Sequence, residues 1–134
     1  MTHLPRTQLP PIKIRQAERE RLGHLADASA ETFPATAEFL AREIERATVV
    51  PDTAPLDGIV GMESEVTFRD DATGLQKQVR LVYPNAADID AGRVSVLTPI
   101  GAALIGLSAG QAISFETPSG EQRSLTVLVV RGPN

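Results

Sequence analysis

The first half of the chain places its apolar residues at helical spacing in two segments. Residues 13–28 carry a loose apolar stripe, and residues 33–48 carry a tighter stripe with alternating steps of four and three. The stripe residues are Ile14, Ala17, Leu22, Leu25 and Ala28 in the first segment and Phe33, Ala37, Leu40, Ile44 and Ala47 in the second. Pro34 suits the first turn of a helix. The pattern predicts an antiparallel helical hairpin, packed as a short coiled coil, over residues 13–48.

The second half of the chain changes to an alternation of apolar and polar residues, which is the period of a β-strand. One alternating run covers residues 60–68 and another covers 76–83, with the acidic turn DDATG between them. Three further runs, at residues 93–97, 111–117 and 123–131, are separated by segments rich in turn-forming residues. The sequence therefore predicts an antiparallel sheet of about five strands.

The stretch TPIGAALIGL, which begins at Thr98, predicts one short helix between two of these strands. Thr98 is placed to cap the helix, Pro99 suits its first position and Gly106 can adopt the left-handed conformation that ends it. Gly101 and Gly106 also have the spacing of a phosphate-binding loop, but Leu107 stands where that loop needs a lysine. We therefore expect the small residues to let this helix lie close to the sheet or to a partner.

Together these patterns predict an α+β chain in four parts. A flexible, Pro-rich arm covers residues 1–12, the helical hairpin covers 13–48, a linker covers 49–57 and the β-rich domain covers 58–134. At 134 residues the chain has room for one domain or two very small ones, so its stability is expected to be modest unless these parts pack on each other.

The composition favours a protein partner over a nucleic acid. The net charge is −4 and aromatic residues make up 4% of the chain, which leaves little to bind a phosphate backbone or to stack on bases. Cysteine is absent, and no apolar run approaches the length that spans a membrane. We therefore expect a cytoplasmic monomer that makes no sequence-specific contact with nucleic acid and no contact with a membrane.

The sequence offers no set of side chains for catalysis or metal binding. His3 and His24 are the only imidazoles, so neither a Ser-His-Asp array nor a histidine metal cluster is expected. We therefore expect no catalytic residue, no cofactor and no metal, and we do not expect an enzyme.

The segment VSVLTPIGAALIGLSAGQAISFETPSGE resembles the C-terminal domain of the bacterial Gre-type transcription elongation factors. The matching positions are Thr98, Pro99, Ile100, Ala103, Leu104, Ile105, Gly106, Gly110, Pro118 and Gly120. With AREIERA, VGMESEVTFR and LVYP, the resemblance extends to the Rnk family, the regulators of nucleoside diphosphate kinase, and covers residues 34–130. The resemblance implies an FKBP-like β-domain that docks on RNA polymerase at the rim of the secondary channel. The helical hairpin would point toward that channel.

The resemblance implies two groups of site residues. The residues expected to dock on RNA polymerase are Thr98, Pro99, Ile100, Gly101, Leu104 and Gly106, with Tyr83 and Pro84 as outer candidates. At the hairpin tip, Asp27 and Glu31 are the carboxylates nearest the predicted turn. The favoured function is a non-enzymatic transcription regulator that competes with Gre-type factors. Two alternatives stay open: a Gre-like stimulator of transcript cleavage that lends both acids to the polymerase, and an interaction module that regulates nucleoside diphosphate kinase.

Overall fold

Two long helices and a five-stranded sheet are the main elements of the computed structural model, which describes residues 9–117 and 119–132. The elements, in chain order, are β1 (Lys13–Arg15), α1 (Gln16–Ser29), α2 (Pro34–Arg46), β2 (Thr48–Val50), β3 (Glu65–Asp70), β4 (Gln76–Val82), β5 (Arg93–Ser95), α3 (Pro99–Leu104), β6 (Ala112–Glu116) and β7 (Gln122–Arg131). The predicted α+β composition, with a helical N-terminal region, is confirmed. Pro118, part of the resemblance described above, lies outside the described residues.

Helix α1 begins later than the sequence predicts and buries a different face. Its buried residues include Leu22 and Ala26, whereas the predicted stripe members Ala17 and Ala28 are exposed. The reason is that Ile14, the predicted start of the stripe, belongs to β1 and not to the helix. In α2 the middle residues of the predicted stripe are buried, as expected. The buried apolar residues of α2 are Ala37, Leu40 and Ile44.

A parallel pair of short strands, which the sequence pattern does not predict, lies at the base of the helical region. Strand β1 pairs with β2. The Thr48 N–H donates to the Ile12 carbonyl oxygen at 2.9 Å, and the Lys13 N–H donates to the Gly106 carbonyl oxygen at 3.2 Å. Ile12 and Ile14 are buried, and the burial of these two side chains favours an extended chain here instead of the first turn of a helix.

The predicted arm is anchored at its end. Residues 1–8 lie outside the described residues, but the carbonyl oxygens of Pro10 and Pro11 accept hydrogen bonds from side chains of the folded part. The donors are Arg46 Nη1, at 2.6 Å from the Pro10 oxygen, and Gln111 Nε2, at 3.1 Å from the Pro11 oxygen. Pro10 and Pro11, which the sequence places in the arm, are therefore held by the folded part of the chain.

The predicted linker, residues 49–57, starts within β2 and then packs against the start of α1. Arg15 Nη2 donates to the Ala54 carbonyl oxygen at 2.7 Å. The Ala17 N–H donates to Asp52 Oδ1 at 2.9 Å, which satisfies a backbone N–H that the first turn of a helix leaves free. This segment therefore helps to hold the start of α1 in place.

The five-stranded sheet has the order β5-β4-β3-β7-β6. Strand β3 is antiparallel to β4 and β7, and β6 is antiparallel to β7, but β5 lies parallel to β4. The sheet is therefore mixed, and the prediction of a wholly antiparallel sheet is wrong. The connection from β4 to β5 makes two 3-10 turns, Pro84–Ala86 and Ile89–Ala91, instead of a tight hairpin turn, and the chain returns in the same direction.

Helix α3 begins with the cap that the sequence predicts. Thr98 Oγ1 accepts a hydrogen bond from the Gly101 N–H at 3.0 Å, and Pro99 is the first helical residue. Gly106 has the expected left-handed φ of +82°, but the helix ends before it, at Leu104, and the residue between them, Ile105, is not helical.

One hydrophobic core joins the helical region to the sheet. Leu22 of α1, Leu40 of α2 and Leu104 of α3 belong to the same buried cluster as the inward residues of the strands. Phe39 of α2 stacks on Phe115 of β6, with ring centroids 6.4 Å apart. Because packing crosses from the helices to the sheet, contacts with the sheet set the direction of the helices.

Candidate protein-docking site

A groove of about 580 Å³ lies between the start of α3, the sheet and the connection from β4 to β5. Phe68 and Phe115 contribute buried aromatic rings to it, and Ile89 and Val94 add aliphatic lining. We call this feature the docking groove. Exposed apolar concavities of this kind mark sites that bind another protein or a smaller ligand.

Strand register brings the aromatic floor of the docking groove together. Phe68 on β3 lies opposite Lys77 on β4, and Phe115 on β6 lies opposite Arg123 on β7. Alternation along each strand turns the two rings toward the core, where Phe68 is 3% exposed and Phe115 is 6% exposed. The floor is therefore rigid, because both rings also belong to the core.

The six residues predicted for docking in and around α3 divide into two groups. Three are partly exposed and line the docking groove: Thr98, Pro99 and Ile100. The other three are buried: Gly101, Leu104 and Gly106. Burial leaves the second group little surface for direct contact with a partner, and a docking role for these three residues stays a prediction. These three residues hold α3 against the rest of the chain.

Tyr83 and Pro84, the outer docking candidates, do not line the docking groove. Pro84 is exposed at the start of the first 3-10 turn. Tyr83 is partly buried under Arg21 of α1, whose guanidinium carbon lies 4.4 Å from the ring centroid. The hydroxyl is buried and has no hydrogen-bond partner among the described residues, and burial raises the pKa of Tyr83. Tyr83 therefore connects the helix to the sheet.

Replacing Tyr83 by phenylalanine is expected to raise the free energy of unfolding by about 1 kcal/mol. The change removes a buried hydroxyl that lacks a partner and keeps the ring under Arg21. Urea denaturation of the two proteins measures the difference. Tyr83→Ala is the control and is expected to lower the free energy of unfolding by about 3 kcal/mol, because it also removes the ring. A phenylalanine variant that is less stable than the parent would show that the hydroxyl is satisfied in solution.

Two basic side chains, Lys77 and Arg123, line the docking groove. Arg123 pairs with Asp70, with 2.6 Å between nitrogen and oxygen, while Lys77 forms no ion pair within the described part of the chain. Asp70 Oδ1 also accepts a hydrogen bond from the Ala72 N–H at 2.9 Å. The Ala72 amide, followed by the Arg123 guanidinium, lowers the pKa of Asp70. Lys77 therefore offers a positive charge to a partner in the groove.

The lowered pKa of Asp70 predicts a pH-dependent contribution to stability. A carboxylate whose folded pKa lies below its unfolded value of about 4 stabilises the fold above that value, and the contribution is lost as the pH falls through the folded pKa. The difference in Tm between the parent and Asp70→Asn is expected to be constant above about pH 5 and to shrink below about pH 4. Arg123→Gln should show the same trend, since it removes one of the donors to this carboxylate. A difference in Tm that stays constant down to about pH 2 would contradict the prediction.

Ile89, an apolar residue at the docking groove, was not predicted as a site residue from the sequence. Ile89 is 84% exposed and lies in the connection from β4 to β5. The sequence identifies PNAADIDAG, residues 84–92, as a loop without a role for its one large aliphatic residue. An isoleucine in a loop of otherwise small and polar residues was the available signal.

The predicted tip acids, Asp27 and Glu31, are exposed at the end of α1 and in the connection to α2. Phe33 lies in the same connection and is 53% exposed. Within the part of the chain that the structure describes, no group of three or more His, Asp or Glu side chains is placed to hold a metal ion. None of the described helices combines the length and the apolar character needed to cross a membrane. A chemical role for the two acids stays a prediction.

Protein-family models match the two halves of the chain separately. Residues 55–131 match the model described as transcription elongation factor, GreA/GreB, C-term. Residues 10–50 match the model described as Rnk N-terminus. The first match contains the docking groove, and the second contains both long helices.

Individual relatives are similar over most of the chain. The regulator of nucleoside diphosphate kinase of Escherichia coli (strain K12) is 36% identical over 120 residues, which cover 89% of this chain and 88% of that protein. Transcription elongation factor GreA of Chloroflexus aurantiacus is 30% identical, covering 98% of this chain and 88% of that protein. Among solved structures, the prokaryotic transcription elongation factor GreA/GreB from Nitrosomonas europaea aligns with a TM-score of 0.71 and 32% identity, covering 92% of this chain and 99% of that chain. The fold is therefore GreA-like.

Proposed function

Because the chain belongs to the Rnk family, within the GreA/GreB group of transcription elongation factors, we propose that it regulates transcription by binding bacterial RNA polymerase near the secondary channel. In this proposal the chain is not an enzyme. It occupies the docking position of Gre-type factors and competes with them for the polymerase. Family membership supports a regulator that is similar to the transcription elongation factors.

The docking groove is the observation that carries this proposal. Pro99 and Ile100 at the start of α3 face Ile89 across a floor of buried aromatic rings. An apolar groove with an exposed aliphatic side chain at its edge fits the apolar face of a helix from a partner protein. The positive charge of Lys77 favours a partner helix that carries a carboxylate near this apolar face.

The helical region supplies the second part of the proposal. In it, α1 and α2 form an antiparallel hairpin on an FKBP-like β-domain, with Asp27 and Glu31 at the tip. Helix α1 has 14 residues, so the hairpin is about 20 Å long. A hairpin of this length narrows the entrance of the channel and reaches less deeply than the longer arm of a Gre factor.

A competition assay with purified core RNA polymerase tests the proposal. The chain contains no cysteine, so one introduced at Ser114, which is exposed on β6 and outside the docking groove, carries a fluorescent label at a single position. Saturable binding that an unlabelled Gre factor displaces is the expected result. Absence of binding at concentrations where the Gre factor saturates would overturn the choice of partner without affecting the fold.

The same materials separate the proposal from its two alternatives. Cleavage of a backtracked transcript that disappears in Asp27→Ala plus Glu31→Ala would identify the chain as a cleavage stimulator. Binding to nucleoside diphosphate kinase without binding to the polymerase would identify it as an interaction module for that enzyme. Polymerase binding with no effect on cleavage is the expected outcome.

A further inference from the structure

Two contacts on one face of α1 join this helix to the β-rich part of the chain. Glu18 and Arg21 lie three residues apart, so their side chains leave α1 on the same face. Glu18 Oε2 accepts a hydrogen bond from the Met62 N–H at 3.1 Å. The Arg21 guanidinium carbon lies 4.4 Å from the centroid of the Tyr83 ring. Each contact therefore has one partner on the helix and one on the β-rich part.

The groups that receive these contacts are held together at one end of β3 and β4. The turn before β3 is closed by the Gly61 N–H, which donates to Ser64 Oγ at 3.0 Å. The Ser64 carbonyl oxygen accepts a hydrogen bond from the Leu81 N–H at 3.0 Å, so this turn is tied to β4, and Tyr83 directly follows β4. A Cβ added at Gly61 would lie 3.4 Å from Glu18 Oε2, at ordinary contact distance, so the end of the Glu18 side chain reaches this turn. Both contacts thus reach a single rigid region.

The environment of Glu18 indicates a directional contact. Its carboxylate faces the Met62 amide in a partly buried position, and burial raises the pKa of Glu18 even though this amide and the neighbouring Arg15 and Arg21 lower it. A carboxylate that was only solvated at the helix surface would not have this geometry.

The two strands next to these contacts also carry part of the docking groove. Phe68 of β3 and Val79 of β4 line the groove, while Met62 precedes β3 and Tyr83 follows β4. The orientation of the groove and the direction of α1 are therefore set on the same pair of strands. Because α1 is about 20 Å long, a tilt of about 15° at its base moves its far end by about 5 Å.

We propose that Glu18 and Arg21 are positioning residues that fix the direction of the helical region relative to the docking groove. The consequence rests on the proposed function, because this direction decides where the hairpin tip points when the polymerase occupies the groove. The test uses only the free protein. A negative result for this proposal therefore does not bear on polymerase binding, and a failure of polymerase binding does not bear on this proposal.

Distances between two spin labels measure the direction of α1. Cysteines at Ala28, in the last turn of α1, and at Ser114, on β6, place labels at two exposed positions in a chain that has no cysteine of its own. The parent is expected to give one narrow distance distribution. Glu18→Ala plus Arg21→Ala is expected to give a distribution at least about twofold wider, because the helix loses these two directional contacts and keeps only its apolar packing on the β-rich part.

Two control variants separate positioning from a general loss of structure. Arg19→Ala plus Glu20→Ala changes neighbouring residues that line the cleft between α1 and α2 instead, and should leave the distribution narrow. Glu18→Gln plus Arg21→Lys keeps an acceptor for Met62 and a cation for Tyr83, and should also stay narrow. A narrow distribution in the double alanine variant would overturn the proposal, as would a wide one in the conservative variant. If the double alanine variant does not fold, the distance distributions of Glu18→Ala and Arg21→Ala are each compared with that of the parent instead.

Discussion

Replacing Gly101 by alanine is expected to lower the free energy of unfolding by about 3 kcal/mol, equivalent to a fall in Tm of about 10 °C. An added Cβ would collide with the Ser95 carbonyl oxygen and lie 2.8 Å from the Val96 Cα. These are backbone atoms, which cannot rotate away as the end of a side chain can. Helix α3 therefore has to move off the sheet and lose part of its packing. Thermal denaturation followed by circular dichroism measures the loss.

Gly23→Ala is the matched control for this substitution. Gly23 lies inside α1, and no atom lies within 4 Å of an added Cβ there. The same chemical change is expected to raise the free energy of unfolding by about 1 kcal/mol, because alanine favours the helix. If Gly101→Ala were as stable as the parent, α3 would not lie against the sheet as described. The position described for the edge of the docking groove would then also be wrong.

Replacing Ile89 by aspartate is expected to weaken binding to core RNA polymerase by a factor of about 30 or more. In the complex, the isoleucine would bury apolar surface worth about 2 kcal/mol, and an aspartate would bring an unpaired charge into an apolar groove. In the free chain Ile89 is 84% exposed, so its replacement should change the free energy of unfolding by less than about 0.5 kcal/mol. Titration of labelled protein with polymerase gives the ratio of the dissociation constants.

Leu75→Asp controls for a general effect of exchanging an exposed aliphatic side chain for a charge. Leu75 is 62% exposed in the turn between β3 and β4 and does not line the docking groove. Its replacement should change the dissociation constant by less than about twofold. Equal weakening by both variants would indicate unspecific apolar association. A normal affinity for Ile89→Asp would place the polymerase elsewhere on the chain.

Elements with strong local chemistry could be predicted from the sequence. Thr98 and Pro99 each have a conformational preference that acts within a few residues, and together they define where α3 begins. The hairpin of β3 and β4 was predictable for a similar reason, because alternation on both sides of an acidic turn leaves few other pairings. The resemblance to the Gre-type factors depends on the same local motifs.

Features that depend on distant partners could not be predicted. Strand β1 has three residues, too few to show a period, and its pairing depends on β2 far along the chain. The parallel placement of β5 depends on the path of the connection from β4, whose residues are compatible with several turns. The site shows the same limit, because the exposure of Ile89 at the docking groove follows from packing between elements, which spacing along the chain does not reveal.

Photo-crosslinking from the docking groove most directly tests whether the polymerase binds there. A photoreactive benzoylphenylalanine in place of Ile89 is expected to form an adduct with a subunit of core RNA polymerase, and an excess of Gre factor is expected to suppress this adduct. The same group in place of Leu75, outside the groove, is expected to form none. An adduct from the second position without one from the first, or an adduct from the first that the Gre factor leaves unchanged, would contradict docking through the groove.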